Sequence, residues 1–385
     1  MAATVIQDAR STQDQDTETR RVRDVSAMLA HLEPDAAPLV TFMARLRKKT
    51  TTDPKIEWFE DELLPRFDVL GASLTAAATS MTVTNYKYFR KDDYVRVNKK
   101  EIIRVTTTPT STTVAIARAK GEESAVSAGN GTQLHILSNA NQEGATRRSL
   151  LSTQKVPQYN FTQIFRDPFG MTNTARGTKT FAGQDWTQLQ SEQLVEHKKG
   201  MEQAFLLGQR HEDTSGTHPQ RATRGISRFI TTNVVNVAGS LTEDSFDDFL
   251  RRPFRYGKKT KILMASPVLI MAVNGFAKDK LQTVVGAKTY GVTLSRYENA
   301  GRNVMILEHN LMTNDDLNDF TGVAGEGYLL DIEDIMLRYI GGRLTVHKPN
   351  IQDNDADARE DEHLTEAGLE AKQERKHGKL TGVTG

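Results

Sequence analysis

Hydrophobic and polar positions divide the chain into stretches of different period. Over residues 182–207, apolar residues recur at Trp186, Leu189, Leu194, Met201, Ala204, Phe205 and Leu206, close to helical spacing. Gln188, Gln190, Glu192, Glu196, Lys198 and Lys199 fill the polar positions between them. The pattern predicts an amphipathic helix about 40 Å long. Thr180 and Asp185 suit its start, Gly208 suits its stop, and Trp186 and Phe205 are the expected core anchors.

Period-two patterns lie upstream. Residues 73–142 hold five short β-like runs, at 80–84, 94–98, 101–106, 112–116 and 133–137, separated by polar or turn-prone residues. Their spacing suits a small β-barrel or sandwich. On either side, 55–67 and 156–165 read as extended. Two extended segments flanking a compact β region predict a long two-stranded arm with a domain inserted near its tip. Before them, residues 1–50 carry eight basic and seven acidic side chains and two short apolar faces, an arm rather than a domain.

Downstream the pattern becomes mixed α/β. Residues 211–223 read as a polar loop, and 225–237 as strand or buried coil. Thr242 caps a helix whose inward face is Phe246, Phe249 and Leu250. A buried strand at 262–265 precedes Ser266-Pro267, a cap with proline at the first helical position. The helix that follows turns Leu269, Ile270, Val273 and Phe276 to one side. Further strands are expected at 292–297, 303–307, 325–330, 335–340, 344–347, 364–374 and 379–383.

Composition narrows the chemistry. The 385 residues carry a formal net charge of +1, so whole-chain charge gives no reason for strong nucleic-acid affinity. With no cysteine, disulfides, thiol catalysis and cysteine-ligated metals are excluded. No apolar run reaches the ~20 residues that cross a bilayer. The N-terminus lacks the apolar core of a signal peptide, so the chain is expected to stay in the compartment where it is made.

Enzyme signatures such as G-x-S-x-G, the P-loop, G-x-G-x-x-G and H-E-x-x-H are missing, and neither catalytic, cofactor nor metal residues are assigned. Gly322 to Gly327 reads as an ordinary turn. Asp353, Asp355 and Asp357 imitate the opening of a calcium loop, but Ala358 and Leu364 stand where that loop needs glycine and glutamate. They read instead as an acidic loop facing solvent or a subunit. His211, Glu212, Asp213 and His218 sit where no element fixes their geometry. The stretch 251–261 carries six basic residues with Phe254 and Tyr256 interleaved. Such a stretch suits single-stranded nucleic acid or, the favoured reading, a surface or subunit contact.

The order of parts resembles the major capsid protein of tailed bacteriophages, the Hong Kong ninety-seven capsid fold, in the subfamily with a β-domain in the extended loop. The resemblance is carried by Tyr159-Asn160-Phe161-Thr162-Gln163-Ile164-Phe165, by Glu202-Gln203-Ala204-Phe205-Leu206-Leu207-Gly208 on the long helix, and by Arg224-Gly225-Ile226. At the C-terminal end Leu364-Thr365-Glu366-Ala367-Gly368-Leu369-Glu370 and Lys376-His377-Gly378-Lys379 complete it. It implies an α+β fold with an N-terminal arm (1–50), an extended loop (51–72 and 143–178) and an inserted β domain (73–142). A peripheral domain with a spine helix (179–232 and 326–385) and an axial α/β domain (233–325) complete the map.

The implied function is structural: self-assembly into hexamers and pentamers of an icosahedral head enclosing double-stranded DNA. DNA contact would be weak and non-specific. Scaffolding, portal and cement proteins are further partners of that family, no membrane is involved, and the setting is the virion, assembled in the host cytoplasm. Candidate assembly contacts are Trp58, Phe59, Arg66, Phe165, Arg166, Arg251, Arg252, Lys258, Asp353 and Asp355. The basic 251–261 stretch and the acidic 353–361 loop are expected to meet between subunits. The alternatives are an encapsulin-type shell, and a carbohydrate-active or hydrolytic enzyme with a β binding module.

Overall fold

The computed structural model describes residues 47–178, 185–276, 281–289, 292–299, 301–313, 320 and 322–384. Most of the expected N-terminal arm, Thr180 and the first residues of the expected long helix lie outside them. The chain divides into two units, parting between Trp58 and Phe59 and rejoining between Gln158 and Tyr159.

In the outer unit, one sheet contains β1 (Lys48–Thr51), β19 (Ile335–Ile340), β21 (Ala358–Ala371) and β10 (Gln163–Thr172) in that spatial order, with β20 (Val346–Lys348) also paired to β21. β21 is the axis of this sheet. It pairs antiparallel with all ten residues of β10 on one side, and with β19 and β20 on the other. Its register puts His363, Thr365, Ala367, Leu369 and Ala371 on one face and Glu362, Leu364, Glu366, Gly368 and Glu370 on the other. Every residue from Asp361 to Ala371 is buried.

The first of those faces is covered by the long helix α2 (Asp185–Leu207), which follows the short α1 (Asn173–Gly177). Met201, Phe205 and Leu206 enter one apolar core with Ile335, Leu337, Ala367, Leu369 and Ala371, and Phe165 packs at its edge. Gly208, directly after the helix, is a position that only glycine fits. A side chain there would collide with the carbonyls of Ala204 and Thr223, while the Gly225 N–H donates to the Gly208 carbonyl at 2.8 Å.

Between Gly208 and Gly225 the sequence suggests a loop. The structure has a hairpin, β11 (His211–Asp213) and β12 (Gln220–Ala222). Its strands are three residues long with no inward face, so no period-two signal betrays them. α3 (Ile226–Phe229) follows.

The second sheet has seven strands in the order β13 (Val234–Gly239), β22 (Gly378–Val383), β18 (Gly327–Leu330), β14 (Thr260–Ala265), β17 (Arg302–Glu308), β16 (Val292–Asn299) and β15 (Leu281–Thr289). α4 (Glu243–Arg251) begins with a capping box between Thr242 and Ser245 and buries Phe246, Phe249 and Leu250. α5 (Pro267–Phe276) buries Leu269 and Val273 in the same core.

The inner unit contains β3 (Phe67–Val69), β4 (Ser80–Thr82), β5 (Asp93–Val97), β6 (Glu101–Val105), β7 (Thr113–Ala117) and β8 (Gln133–Asn139). Their order is β3-β8-β5-β6-β7-β4, and a Leu70–Val83 bridge joins the two edge strands, closing the sheet on itself. Thirteen buried apolar residues, among them Val95, Ile103, Val114 and Leu134, fill its interior. The strands that carry the chain out of and back into the outer unit, β2 (Lys55–Glu60) and β9 (Val156–Phe161), pair with each other.

The two expected helix anchors differ in burial. Phe205 is fully buried, edge-on to Phe165 at 6.0 Å between ring centroids, whereas Trp186 is half-buried beside Phe169 and the Arg359 guanidinium. Phe205→Ala is expected to cost roughly 3–5 kcal/mol and Trp186→Ala clearly less, measured by urea unfolding.

Candidate assembly surfaces and the nodes that position them

Surfaces on a sheet are only as fixed as the segments that join them, and buried polar groups make those joins. Asn160, at the end of β9, is buried. Its Nδ2 donates to the Leu369 carbonyl at 2.6 Å, to Thr223 Oγ1 at 3.1 Å and to the Arg224 carbonyl at 3.2 Å. Its Oδ1 accepts from the Arg224 N–H at 2.7 Å and the Phe161 N–H at 2.9 Å. One amide thereby ties together three segments, each of which supplied residues to the family resemblance. Beside it Arg210 lies over the Tyr159 ring at 3.8 Å.

A second node lies under α2. His197 is one and two helical turns before Met201 and Phe205, on the same stripe. It is buried between the Asp167 carboxylate and Thr365 Oγ1, the latter at 2.7 Å. His363 packs against Phe169 and faces both His197 and His347, and burial holds its imidazole below the ordinary range, against the pull of the Gln190 carbonyl. Glu202 meets His309 at 3.0 Å with both side chains fully buried. Lys199 is buried too, so the face of this helix that reads as polar is partly interior.

The third node stands where the chain crosses between the two sheets of the outer unit. Lys261 Nζ is buried, donating to the Lys376 carbonyl at 2.6 Å and lying 3.6 Å from Asp331 Oδ2. Burial lowers its pKa, and Asp331 opposes the effect. The Asp331 N–H donates to His377 Nδ1 at 3.2 Å, and His377 Nε2 lies 3.1 Å from the Lys372 carbonyl. Burial pushes His377 down to about 4.

These nodes sort the expected contact residues. Trp58 faces inward, 9% exposed, and lines a small cleft with Tyr159, Asn160 and Phe229. Phe165 is half-buried against the core. Both rest against their own chain, so a neighbour is not needed to cover them. Arg166 reaches Glu362, and Arg251 and Arg252 both hold Asp248. Lys258 pairs with Glu333. The basic stretch is thus partly neutralised from within, and Lys261 is no surface residue at all. The acidic loop is shorter than the sequence suggests, because β21 already begins at Ala358 and Asp361 is buried between Arg359 and His347. Asp353 and Asp355 remain exposed, as do Arg66 and Phe59.

Exposed apolar side chains cluster in the chain around the inserted sheet. Phe59 is 69% exposed, Leu63 95%, Leu150 89% and Val156 54%. The family described as the SU10 major capsid protein matches residues 8–384.

The chain belongs to the SU10 major capsid protein family.

A curated relative, the major capsid protein of Pseudomonas phage PaMx41, is 23% identical over 332 residues, covering 82% of this chain and 78% of its own. Among solved structures, the capsid of a native GTA particle superposes with a TM-score of 0.51 at 7% identity, over 98% of this chain and 100% of that one. An encapsulin complex from Synechococcus elongatus PCC 7942 gives a TM-score of 0.43 at 13% identity, over 60% of this chain and 78% of that chain. The family match decides between a phage capsid protein and an encapsulin. No helix among the described residues is long and apolar enough to cross a membrane.

Two outcomes follow from the nodes. Asn160→Ala leaves buried backbone groups of Arg224 and Leu369 unpaired, at roughly 1–3 kcal/mol for each group, and should lower the urea midpoint far more than Asn141→Ala at an exposed site. Acidification is the other test. His377 takes up a proton near 6.5 when unfolded but near 4 when folded. Stability is therefore fully present above pH 6.5 and falls as the pH drops toward 4, by up to roughly 3 kcal/mol. His363 adds in the same direction. Unfolding midpoints between pH 7 and 4.5 should show this slope, and His377→Gln should flatten it.

Proposed function

We propose that this chain is the shell-forming subunit of an icosahedral phage head, assembling into hexameric and pentameric capsomers around double-stranded DNA. The observation that carries the reading is the family match across nearly the whole chain. The exposed apolar residues on either side of the inserted sheet support it, because a chain that leaves Phe59, Leu63 and Leu150 in water gains by burying them against a neighbour.

In this reading residues 1–50 serve as an arm, 51–72 and 143–178 as the loop laid over the next subunit, and 73–142 as an inserted domain. Residues 179–232 and 326–385 form the peripheral domain, and 233–325 the axial domain. Phe59, Arg66, Asp353 and Asp355 are the contact residues still free to meet a neighbour, and Arg251 and Arg252 contribute through the parts of their guanidinium groups that remain in solvent. Contact with packaged DNA is weak and non-specific, in keeping with a net charge of +1. Scaffolding, portal and cement proteins complete the head, which is built in the host cytoplasm. The role is structural.

Electron microscopy of the purified protein should show closed shells or capsomers. A monodisperse monomer under all conditions would refute the reading. Phe59→Ser combined with Leu63→Ser and Leu150→Ser should leave subunits folded by circular dichroism while sharply reducing the assembled fraction.

A further inference from the structure

We propose that the inner unit pairs with the same unit of a second copy through the outer face of its closed sheet, Arg96 and Arg104 of one copy meeting Glu122 and Glu123 of the other. The proposal rests on the multi-copy assembly put forward above, and it names a contact that assembly would use.

The face is defined by strand register. On β5 and β6, Val95, Val97, Ile103 and Val105 point inward and are at most 1% exposed. Tyr94, Arg96, Ile102 and Arg104 therefore point outward. Tyr94 stands opposite Arg104, and Arg96 stands opposite Ile102 on one side and His135 on the other. His135 in turn opposes Phe67, their rings 5.3 Å apart. Ala117 opposes Arg104 from β7 and adds little bulk beside it. The result is a face of rings and arginines, residue types enriched in the buried centres of protein interfaces.

Its charges are unpaired among the described residues. Arg96 and Arg104 are diagonal neighbours across two strands, close enough to repel, yet neither has an ion pair among the described residues. The Nε atoms of Arg90, Arg96 and Arg104 are buried without a hydrogen-bond partner. Arginines elsewhere in the unit are treated differently. Arg118 is held by Glu101 at 2.5 Å, and Arg148 reaches Asp93.

The complementary charge lies on the rim of the same face. The segment after β7 folds back so that the Lys120 N–H donates to the Ile102 carbonyl at 2.9 Å and Gly121 rests against the Ile102 side chain. Glu122 and Glu123 come next, both exposed and without an ion pair among the described residues. A face with cations at its centre and carboxylates at its edge is self-complementary under a two-fold rotation, which lays each rim on the other's centre. An unrelated acidic partner would need only the arginines. The presence of both signs, each unsatisfied, selects a second copy.

The test uses shells assembled from the full chain, checked by electron microscopy. Arg96→Glu with Arg104→Glu, and separately Glu122→Arg with Glu123→Arg, should each lower the thermal midpoint of the shells and the salt concentration at which they come apart. All four substitutions together should restore both. Arg96→Gln with Arg104→Gln gives a milder loss and guards against a folding defect, which circular dichroism of the free subunit would reveal. Equal midpoints for all shells, or a fourfold variant no better than the double variants, overturns the pairing while leaving the capsid reading intact. Failure of the unmodified chain to form shells overturns both.

Discussion

The five hydrogen bonds of Asn160 are the constraint on which the outer unit depends. A buried primary amide has two donors and two acceptor lone pairs, and leaving any of them unmet in the interior is costly. Here every one is used, and the partners come from the chain just before α3, from β21 and from β9 itself. These segments are separated by up to 209 residues. The amide can be satisfied only when all of them are in register, so it acts less as a source of net stability than as a selector of one arrangement.

The same logic extends to the charged interior. β21 carries Glu362, Glu366 and Glu370 on the face away from α2, with Arg166 and Lys348, Arg343, and Arg338 and Lys372 beside them. The crossing between the two sheets is held by Lys261, Asp331 and His377 beside an apolar core in which Met264, Tyr328 and Leu330 of the second sheet join Ile335 and Leu369 of the first. Buried ion pairs seldom exceed the stability of well-packed apolar replacements, and removing one partner is strongly destabilising. A strand lined in this way accepts few alternative pairings, because a slip of one residue would put each carboxylate in the apolar core.

What could be read from the residues follows from these interactions. Elements with a continuous apolar period were plain: α4 with its Thr242 cap, the strand ending at Ala265, the proline-started α5, and each β run between 80 and 137. The hairpin at 211–222 was hidden because both strands are too short and exposed to show alternation. The first residues of β21 were hidden because Asp361, Glu362 and His363 look like solvent residues until their partners, distant in sequence, are known. Lys199 and Lys261 misled for the same reason. His197 went unnoticed although a signal was there, since its place one and two turns before Met201 and Phe205 puts it on the buried stripe. Of the expected contact residues, Trp58 and Phe165 turned inward. Aromatic residues beside extended segments give the same sequence signal whether their own chain or a neighbour covers them.

Strand order in both sheets of the outer unit has a consequence for biosynthesis. β21 lies between β10 and β19, and β22 lies between β13 and β18. Each fills a central slot, yet both leave the ribosome after every strand they pair with. Until then the long β10 and the facing β18 have unpaired edges, and neither sheet can close. The inner unit has all its strands within residues 59–158 and meets no such delay. A chain cut before β21 therefore lacks the middle strands of two sheets instead of a dispensable tail.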